Sequence, residues 1–277
     1  MDIPGLDEII AAALKEDMPA GDVTADNIIP SASVSEAVFL AKEGGVLAGL
    51  FVARRVFDMV DGGVDFREEF REGDSFKNRD VLARLRGRTV SLLKGERTAL
   101  NFLQRMSGIA TATRRFVEAV EGTKARILDT RKTTPGLRSL EKYAVRMGGG
   151  TNHRFSLSDM VLIKDNHLRH VGGVAEAVRR ARSAVASRVR IEVEVTDFAG
   201  AREALESGAD VIMLDNMSPG EIREVAAFVA GRVRLEVSGN VNLARVRELA
   251  ETGVDDISVG ALTHSSRALD VSLEFLN

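Results

Sequence analysis

The chain contains no cysteine. That removes disulfides, thiolate metal ligands and a cysteine nucleophile from consideration. Tryptophan is also absent and tyrosine occurs once, so the aromatic platform on which single-stranded nucleic acids stack is missing. Neither charge sign dominates: 38 Lys and Arg stand against 41 Asp and Glu, a formal net charge of -3. A chain so near neutrality lacks the electrostatic footprint of a general polyanion binder. Long apolar runs are missing too. The longest charge-free apolar stretch, residues 44–53, falls short of the roughly 20 residues that cross a bilayer. The opening Met-Asp-Ile-Pro-Gly-Leu-Asp-Glu has no basic-then-apolar order of a secretory signal. These absences lead us to expect a cytoplasmic protein with neither nucleic acid nor membrane as partner.

What is present follows two grammars. From about residue 120, short β-branched runs alternate with amphipathic helical stretches. The runs are 125–131, 159–166, 190–196, 210–216, 234–240 and 255–261, each largely apolar, as expected of strands buried on both faces of a parallel sheet. Helical periodicity covers 174–186, 199–207, 219–229 and 243–251, several ending at a glycine (Gly208, Gly231, Gly253). Such alternation predicts an α/β barrel, and six visible strands predict an open or incomplete one. Before residue 100 the order is different. A helix at 6–15 and a loop at 16–24 precede strand-like stretches at 33–41, 45–50, 64–69 and 88–93, with a helix at 53–60. This predicts a separate sandwich-like α/β domain. An amphipathic stretch at 99–120 links the two. The expected division is 1–103 for the sandwich, with 266–277 packing back on it, and 104–265 for the barrel.

Function in parallel α/β folds gathers at the carboxyl ends of strands. Here those ends carry Asp129-Thr130-Arg131-Lys132, Lys164-Asp165-Asn166-His167, Glu192 and Glu194, Asp215-Asn216, Ser238-Gly239-Asn240 and Gly260-Ala261. Polar groups at one strand end are costly unless water, ligand or each other pairs them, and six in succession point to a site. The 131–164 region is also locally cationic. Arg138, Lys142 and Arg146, four residues apart, read as a solvated helix face. Arg131, Lys132, Arg154 and Lys164 sit instead at strand ends or after the Gly148-Gly149-Gly150 loop, where guanidinium forks suit carboxylate or phosphate. Ser238-Gly239-Asn240, followed by a helix, and Gly260-Ala261 make a plausible phosphate cradle. Glu194 and Asp215 suit a water-bridged Mg2+ or a sugar hydroxyl, or else salt bridges to neighbouring cations. Of the four histidines, His153 looks most like a site residue, and no pair has the spacing of a zinc protease. Asp255 and Asp256 precede a strand rather than end one and read as its entrance.

Longer words in the sequence resemble the quinolinate phosphoribosyltransferase family. They are 96–101 with 107–111, Asp129-Thr130-Arg131-Lys132-Thr133-Thr134-Pro135-Gly136 onward to Arg138, 141–146 and 148–154. Further matches are 162–167, 192–195, 213–217, 258–265 and the early Glu16-Asp17 and 21–24, so nearly the whole chain is covered. The resemblance implies an N-terminal α/β sandwich joined to an incomplete, TIM-like barrel, and condensation of quinolinate with phosphoribosyl pyrophosphate. The products would be nicotinate mononucleotide, carbon dioxide and pyrophosphate, with Mg2+ required. It also implies a homodimer or higher homo-oligomer in which Arg97 comes from the partner and grips the quinolinate carboxylates with Arg131, Arg154 and Lys164, His153 nearby. Thr130, Lys132, Glu194, Asp215, Ser238, Gly239, Asn240, Val259, Gly260 and Ala261 would hold the donor. Lys132, Glu194 and Asp215 would carry catalysis, the two acids taking Mg2+ through water. One departure stands out: the resemblance leads us to expect a second glycine where this chain has Asn240.

Three other readings stay open at this level. Lys164 at a barrel strand end also suits a Schiff-base aldolase. A relative acting on a different base, such as the homologue associated with molybdate transport operons, shares the fold. A catalytically silent metabolite binder would share it too.

Overall fold

A computed structural model describes residues 3–276; the first two residues of the N-terminal run, and Asn277 at the end of the 266–277 segment, lie outside them. The chain begins α1 (Leu6–Asp17), α2 (Ala25–Ile28), β1 (Val34–Ala41), β2 (Gly45–Val46), α3 (Leu50–Val60), β3 (Asp65–Glu68), β4 (Ser75–Phe76), β5 (Val81–Arg88) and α4 (Thr89–Ala119). It continues through β6 (Arg126–Leu128), α5 (Arg138–Met147), β7 (Val161–Ile163), α6 (Asp165–Val171), α7 (Val174–Ala184) and β8 (Ile191–Val195). Then come α8 (Phe198–Glu206), β9 (Val211–Asp215), α9 (Pro219–Val229), β10 (Arg234–Ser238), α10 (Val246–Ala250), β11 (Asp256–Ser258), α11 (Ala261–His264) and β12 (Val271–Leu276). These form two compact units. One takes residues up to 114 together with 133–149 and those from 265; the other takes 115–132 and 150–264.

An antiparallel sheet ordered β12-β1-β5-β3 organises the first unit. Period-two alternation sorts its residues: Ala37, Phe39, Phe66, Ala83 and Leu85 share one face and are buried, while Glu36, Arg84 and Arg86 take the other. On the buried face the rings of Phe39, Phe66 and Phe57 of α3 lie 6.1 to 6.2 Å apart. Gly49 offers no side chain to cap α3. The Glu72 carboxylate accepts instead from the N–H groups of Gly49 and Leu50 at 2.8 Å and of Phe51 at 3.3 Å. Burial pushes the Glu72 carboxyl up, against the pull of those N–H groups. Buried Glu141 of α5 accepts from Arg105 at 2.7 Å and from the Thr134 N–H at 3.1 Å, tying residues 133–149 to α4.

Three local expectations need correction. Residues 88–93 are not a strand: β5 ends at Arg88 and α4 begins at Thr89, well before 99. The reason is helical spacing, because Leu92, Ala99, Leu103, Met106 and Ala110 form one buried stripe. Only Gly45 and Val46 of the 45–50 run pair as strand, since Leu50 opens α3. The solvated face on α5 fails at Lys142, although Arg146 is exposed as expected and Arg138 is partly so. Lys142 is only 2% exposed, while Arg138 bonds to Thr133 and Arg146 lies over the Tyr143 ring.

The second unit is a six-stranded, wholly parallel sheet ordered β6-β11-β10-β9-β8-β7. β6 and β7 are its two ends and do not pair, so the barrel is open, as the sequence predicts. Its register separates two chemistries. Ile127, Val193, Ile212, Leu214, Val237 and Ile257 line one face and are buried, with α7 and α8 against β7 to β9. Each such side chain contributes about 1.5–3 kcal/mol of burial free energy. The opposite face carries Glu192, Glu194, Asp215, Glu236, Ser238, Asp256 and Ser258. Asp197 caps α8, and a Ser218–Glu221 capping box with Pro219 opens α9.

Replacing Glu72 with Ala strands three N–H groups, and urea unfolding should report a loss of about 2–3 kcal/mol; Glu72→Gln, which keeps an acceptor, should lose less. Asp61 gives a pH-dependent case. The Ser91 hydroxyl, then Arg88, then the Gly63 N–H hold its carboxyl down at about 2, against an ordinary 3.8. A depressed folded-state pKa stabilises fully above the unfolded value and is lost as pH falls through the folded one. Asp61→Asn should therefore lower the melting temperature at neutral pH, and its deficit should shrink as pH falls from 3.8 to about 2.

Candidate active site

A cavity of about 630 Å³ opens at the carboxyl ends of the parallel strands. Thr130, Arg131 and Lys132 enter it after β6, Lys164 after β7, Glu194 from β8, Asp215 and Asn216 from β9, and Ser238, Gly239 and Asn240 from β10. His153 and Arg154 come from the loop after Gly150. Every lining residue belongs to the second unit. The sequence thus brings together all its expected site residues except four. Arg97 is exposed on α4 in the first unit. Val259 is buried, with its N–H bonded to Leu128, and Gly260 and Ala261 sit beside the cavity rather than on its lining.

Cations gather on one side. Burial, and next the neighbouring Arg131, depress the Arg154 pKa, while Glu192 and Asp159 oppose the shift. Two guanidinium groups that repel each other in a half-buried place make an anion site. Lys164 bonds to Glu194, which is the salt-bridge reading of that acid. The Lys164 N–H is in turn fixed by His167 Nδ1 at 2.9 Å, so His167 holds the strand end and does not reach the cavity. Lys132 is anchored by its backbone, its N–H donating to Thr130 Oγ1 and its carbonyl accepting from Thr263 Oγ1. A Cβ on Gly260 would stand 3.2 Å from Lys132 Cδ, so the missing side chain leaves room for the lysine.

Segment 152–154 is secured from beneath. Asp129, fully buried, accepts from the Asn152 amide and from the His153 N–H at 2.9 Å. His153 Nε2 lies 3.1 Å from Glu192 Oε2 and 3.5 Å from Glu236 Oε2. The Arg154 N–H donates to His153 Nδ1 at 2.7 Å. Burial lowers the His153 pKa, but the two carboxylates outweigh it and raise the group to about 10. The Arg154 amide, aimed at Nδ1, needs a lone pair there and so opposes that rise, and it leaves the Nε2 side of the ring to face the acids.

Across the cavity, Asn216 and Asn240 both adopt left-handed backbone, at φ 56° and 51°. Asn240 Nδ2 donates to Asn216 Oδ1 at 3.0 Å, and Asn216 Nδ2 donates to Asp215 Oδ2 at 2.8 Å. The residue that departs from the expected glycine therefore keeps the glycine-like backbone and adds a strut. A Cβ on Gly239 would fall 2.3 Å from Asn216 Oδ1. The helix expected at 243–251 starts only at Val246, because the Asn242 side chain caps a turn at Ala244 and Arg245. It therefore presents no N–H groups immediately after Asn240.

Two residue sets offer cation ligands. Glu194 and Asp215 end adjacent strands on the cavity face. His153, Glu192 and Glu236 have ligand atoms within 4.8 Å of one another. Sequence reasoning missed the role of Glu236. Its signal was the alternation Arg234-Leu235-Glu236-Val237-Ser238, which repeats Glu192-Val193-Glu194. Asp255 and Asp256 are at the strand entrance as expected, bonded to Lys124 and to Arg126 and Arg234.

No helix among the described residues is long and apolar enough to cross a membrane. Family models match both parts of the chain: the quinolinate phosphoribosyl transferase N-terminal domain over residues 22–107 and the C-terminal domain over 109–274. A probable nicotinate-nucleotide pyrophosphorylase [carboxylating] of Bacillus subtilis is 44% identical over 94% of this chain and 89% of its own length. Quinolinate phosphoribosyltransferase [decarboxylating] 1b of Nicotiana tabacum is 42% identical over 96% of this chain and 81% of its own. The crystal structure of NadC from Streptococcus pyogenes superposes with a TM-score of 0.96, at 43% identity and complete coverage of both chains. With the two domain models together matching most of the chain and identity of this order, the chain belongs to the quinolinate phosphoribosyltransferase family.

Proposed function

We propose that the chain transfers the phosphoribosyl group of phosphoribosyl pyrophosphate to quinolinate, releasing nicotinate mononucleotide, carbon dioxide and pyrophosphate. The observation that carries this reading is the juxtaposition of Arg131 and Arg154 in one cavity with Lys164, opposite the Asp215-Asn216 and Ser238-Gly239-Asn240 loops. Quinolinate has two adjacent carboxylates, and several fixed cations are what such a pair needs on leaving water. We assign Arg131, Arg154 and Lys164 to them, with His153 underneath. The small residues Ser238 and Gly239, with Asn240, and the neighbouring Gly260 and Ala261 take the 5′-phosphate end of the donor, and Thr130 and Lys132 its other phosphates; Val259, buried with its N–H engaged, takes no part.

Transfer forms a bond from the ring nitrogen to ribose C1′ and breaks the bond from C1′ to pyrophosphate. Positive charge builds on the ribose as the leaving group departs, and Glu194 and Asp215 are placed to stabilise it. The electron pair left when carbon dioxide leaves stays on C2, stabilised by the adjacent cationic ring nitrogen, and takes up a proton there. The chain's contribution is alignment and a fixed field. An all-oxygen donor pair at the ends of β8 and β9 suits a hard cation, so Glu194 and Asp215 would hold Mg2+ through water. When bound, Mg2+ neutralises charge on the pyrophosphate.

The same reading makes the protein a cytoplasmic homodimer, with exposed Arg97 completing the acceptor site of the other subunit. It has two tests. Pyrophosphate release should occur with quinolinate and not with nicotinate, and Arg154→Ala should lower kcat/KM for quinolinate by roughly 100-fold or more; release with nicotinate alone would move the acceptor assignment. Equal mixing of inactive Arg97→Ala and Arg154→Ala subunits should restore about a quarter of wild-type turnover, because half the dimers gain one intact site. No recovery after verified subunit exchange would remove Arg97 from the partner's site.

A further inference from the structure

Glu192 and Glu236 are buried carboxylates that the proposed chemistry leaves unused, at 0% and 2% exposure. Burying two acids side by side is costly, and each raises the other's cost. Sequence-distant parts of the second unit nevertheless bring them together, Glu192 from β8 and Glu236 from β10. Among the described residues neither Glu192 oxygen has a hydrogen-bond partner, and its one ion-pair contact is Oε2 with His153 Nε2 at 3.1 Å. Glu236 reaches the same ring with one oxygen and accepts from the Ser258 hydroxyl with the other. Through Nδ1 the ring then takes the Arg154 N–H. Both ring nitrogens are thus engaged by the protein, and the line of contacts runs from the acids to the backbone of the residue whose guanidinium faces the cavity.

We propose that Glu192 and Glu236 are positioning residues of the acceptor site, acting through His153 to hold Arg154 beside Arg131. The proposal rests on the functional reading above and gives His153 a supporting part, a strut beneath the clamp rather than a hand on the substrate. Charge agrees with geometry. Arg131 and Arg154 repel each other, and the buried negative charge of Glu192 offsets that repulsion from below. The Asp129 carboxylate fixes the same segment from the other side by its bonds to Asn152 and His153. Arg154 Nη1 finally donates to the Met160 carbonyl at 3.1 Å, which sets the direction of the guanidinium.

The test uses the full-length protein and its Glu192→Gln, Glu236→Gln and His153→Gln variants, with thermal melts to verify folding. Quinolinate affinity is measured by calorimetry without donor, and steady-state constants are measured for both substrates. Each glutamine variant should bind quinolinate about tenfold or more weakly, with KM for quinolinate raised and donor KM within about twofold of wild type. Combining Glu236→Gln with His153→Gln should add little to His153→Gln alone, since both cut the same line of contacts. Glutamate variants that fold and bind quinolinate as wild type does would overturn the proposal. So would an equal loss of donor and acceptor binding, which marks a general structural role. A stoichiometric metal in purified wild-type protein, absent from Glu236→Gln, would make the trio a ligand set and also overturn it. If wild type itself binds no quinolinate, the functional reading fails first, and that outcome is distinct from the others.

Discussion

The strands β8 to β11 of the parallel sheet carry two chemistries, and they are kept apart by nothing more than odd and even position. Val193, Ile212, Leu214, Val237 and Ile257 face the helices, while Glu192, Glu194, Asp215, Glu236 and Ser258 face the open interior. The apolar set supplies the burial that holds the unit together. The polar set is then obliged to find partners inside a protein, and the way it does so determines where a ligand can enter.

At the strand entrances the obligation is met by the chain itself. Asp256 pairs with Arg126 and Arg234, and Asp255 pairs with Lys124 and accepts the Leu235 N–H. In the middle layer, two acids share one imidazole, and Glu236 alone also accepts from a serine hydroxyl. At the carboxyl ends the balance changes, and Arg131, Arg154, Lys132 and Lys164 line one cavity. The interior therefore runs from self-neutralised to ligand-seeking along one axis, and the cavity is placed at the end where pairing within the chain no longer suffices.

The gradient was partly legible in the sequence. The polar strand ends stood out because each interrupts an apolar run, and nearly all of them reach one cavity. Strand positions in the second unit also emerged, because β-branched runs alternate with capped helices there. What stayed hidden has a common cause. A run expected to be buried on both faces was read as apolar with a charged end, which made Glu192 a terminus and Glu236 nothing at all, although both lie within strands. In the first unit, Val90-Ser91-Leu92-Leu93 looked extended over a short window, and only Ala99, Leu103 and Met106 further on reveal the helix to which Leu92 belongs. Lys142 was misread for a similar reason: four-residue spacing says that three cations share a helix face, not whether that face meets solvent. Asn240 was legible as a departure, but its bond to Asn216 depends on two loops that only the sheet brings together.

A sheet whose two faces are sorted by parity behaves like a text read in pairs. Substitution changes one letter, and the neighbouring strands still find their partners. An insertion or deletion of a single residue within β8 would shift the frame instead, turning Val193 toward the interior and sending Glu192 and Glu194 among the helices. Core and site would be lost in the same event, because they are written on alternate letters of the same strand. Length in these strands should therefore be far less free to drift than composition, with changes in length confined to the loops between them.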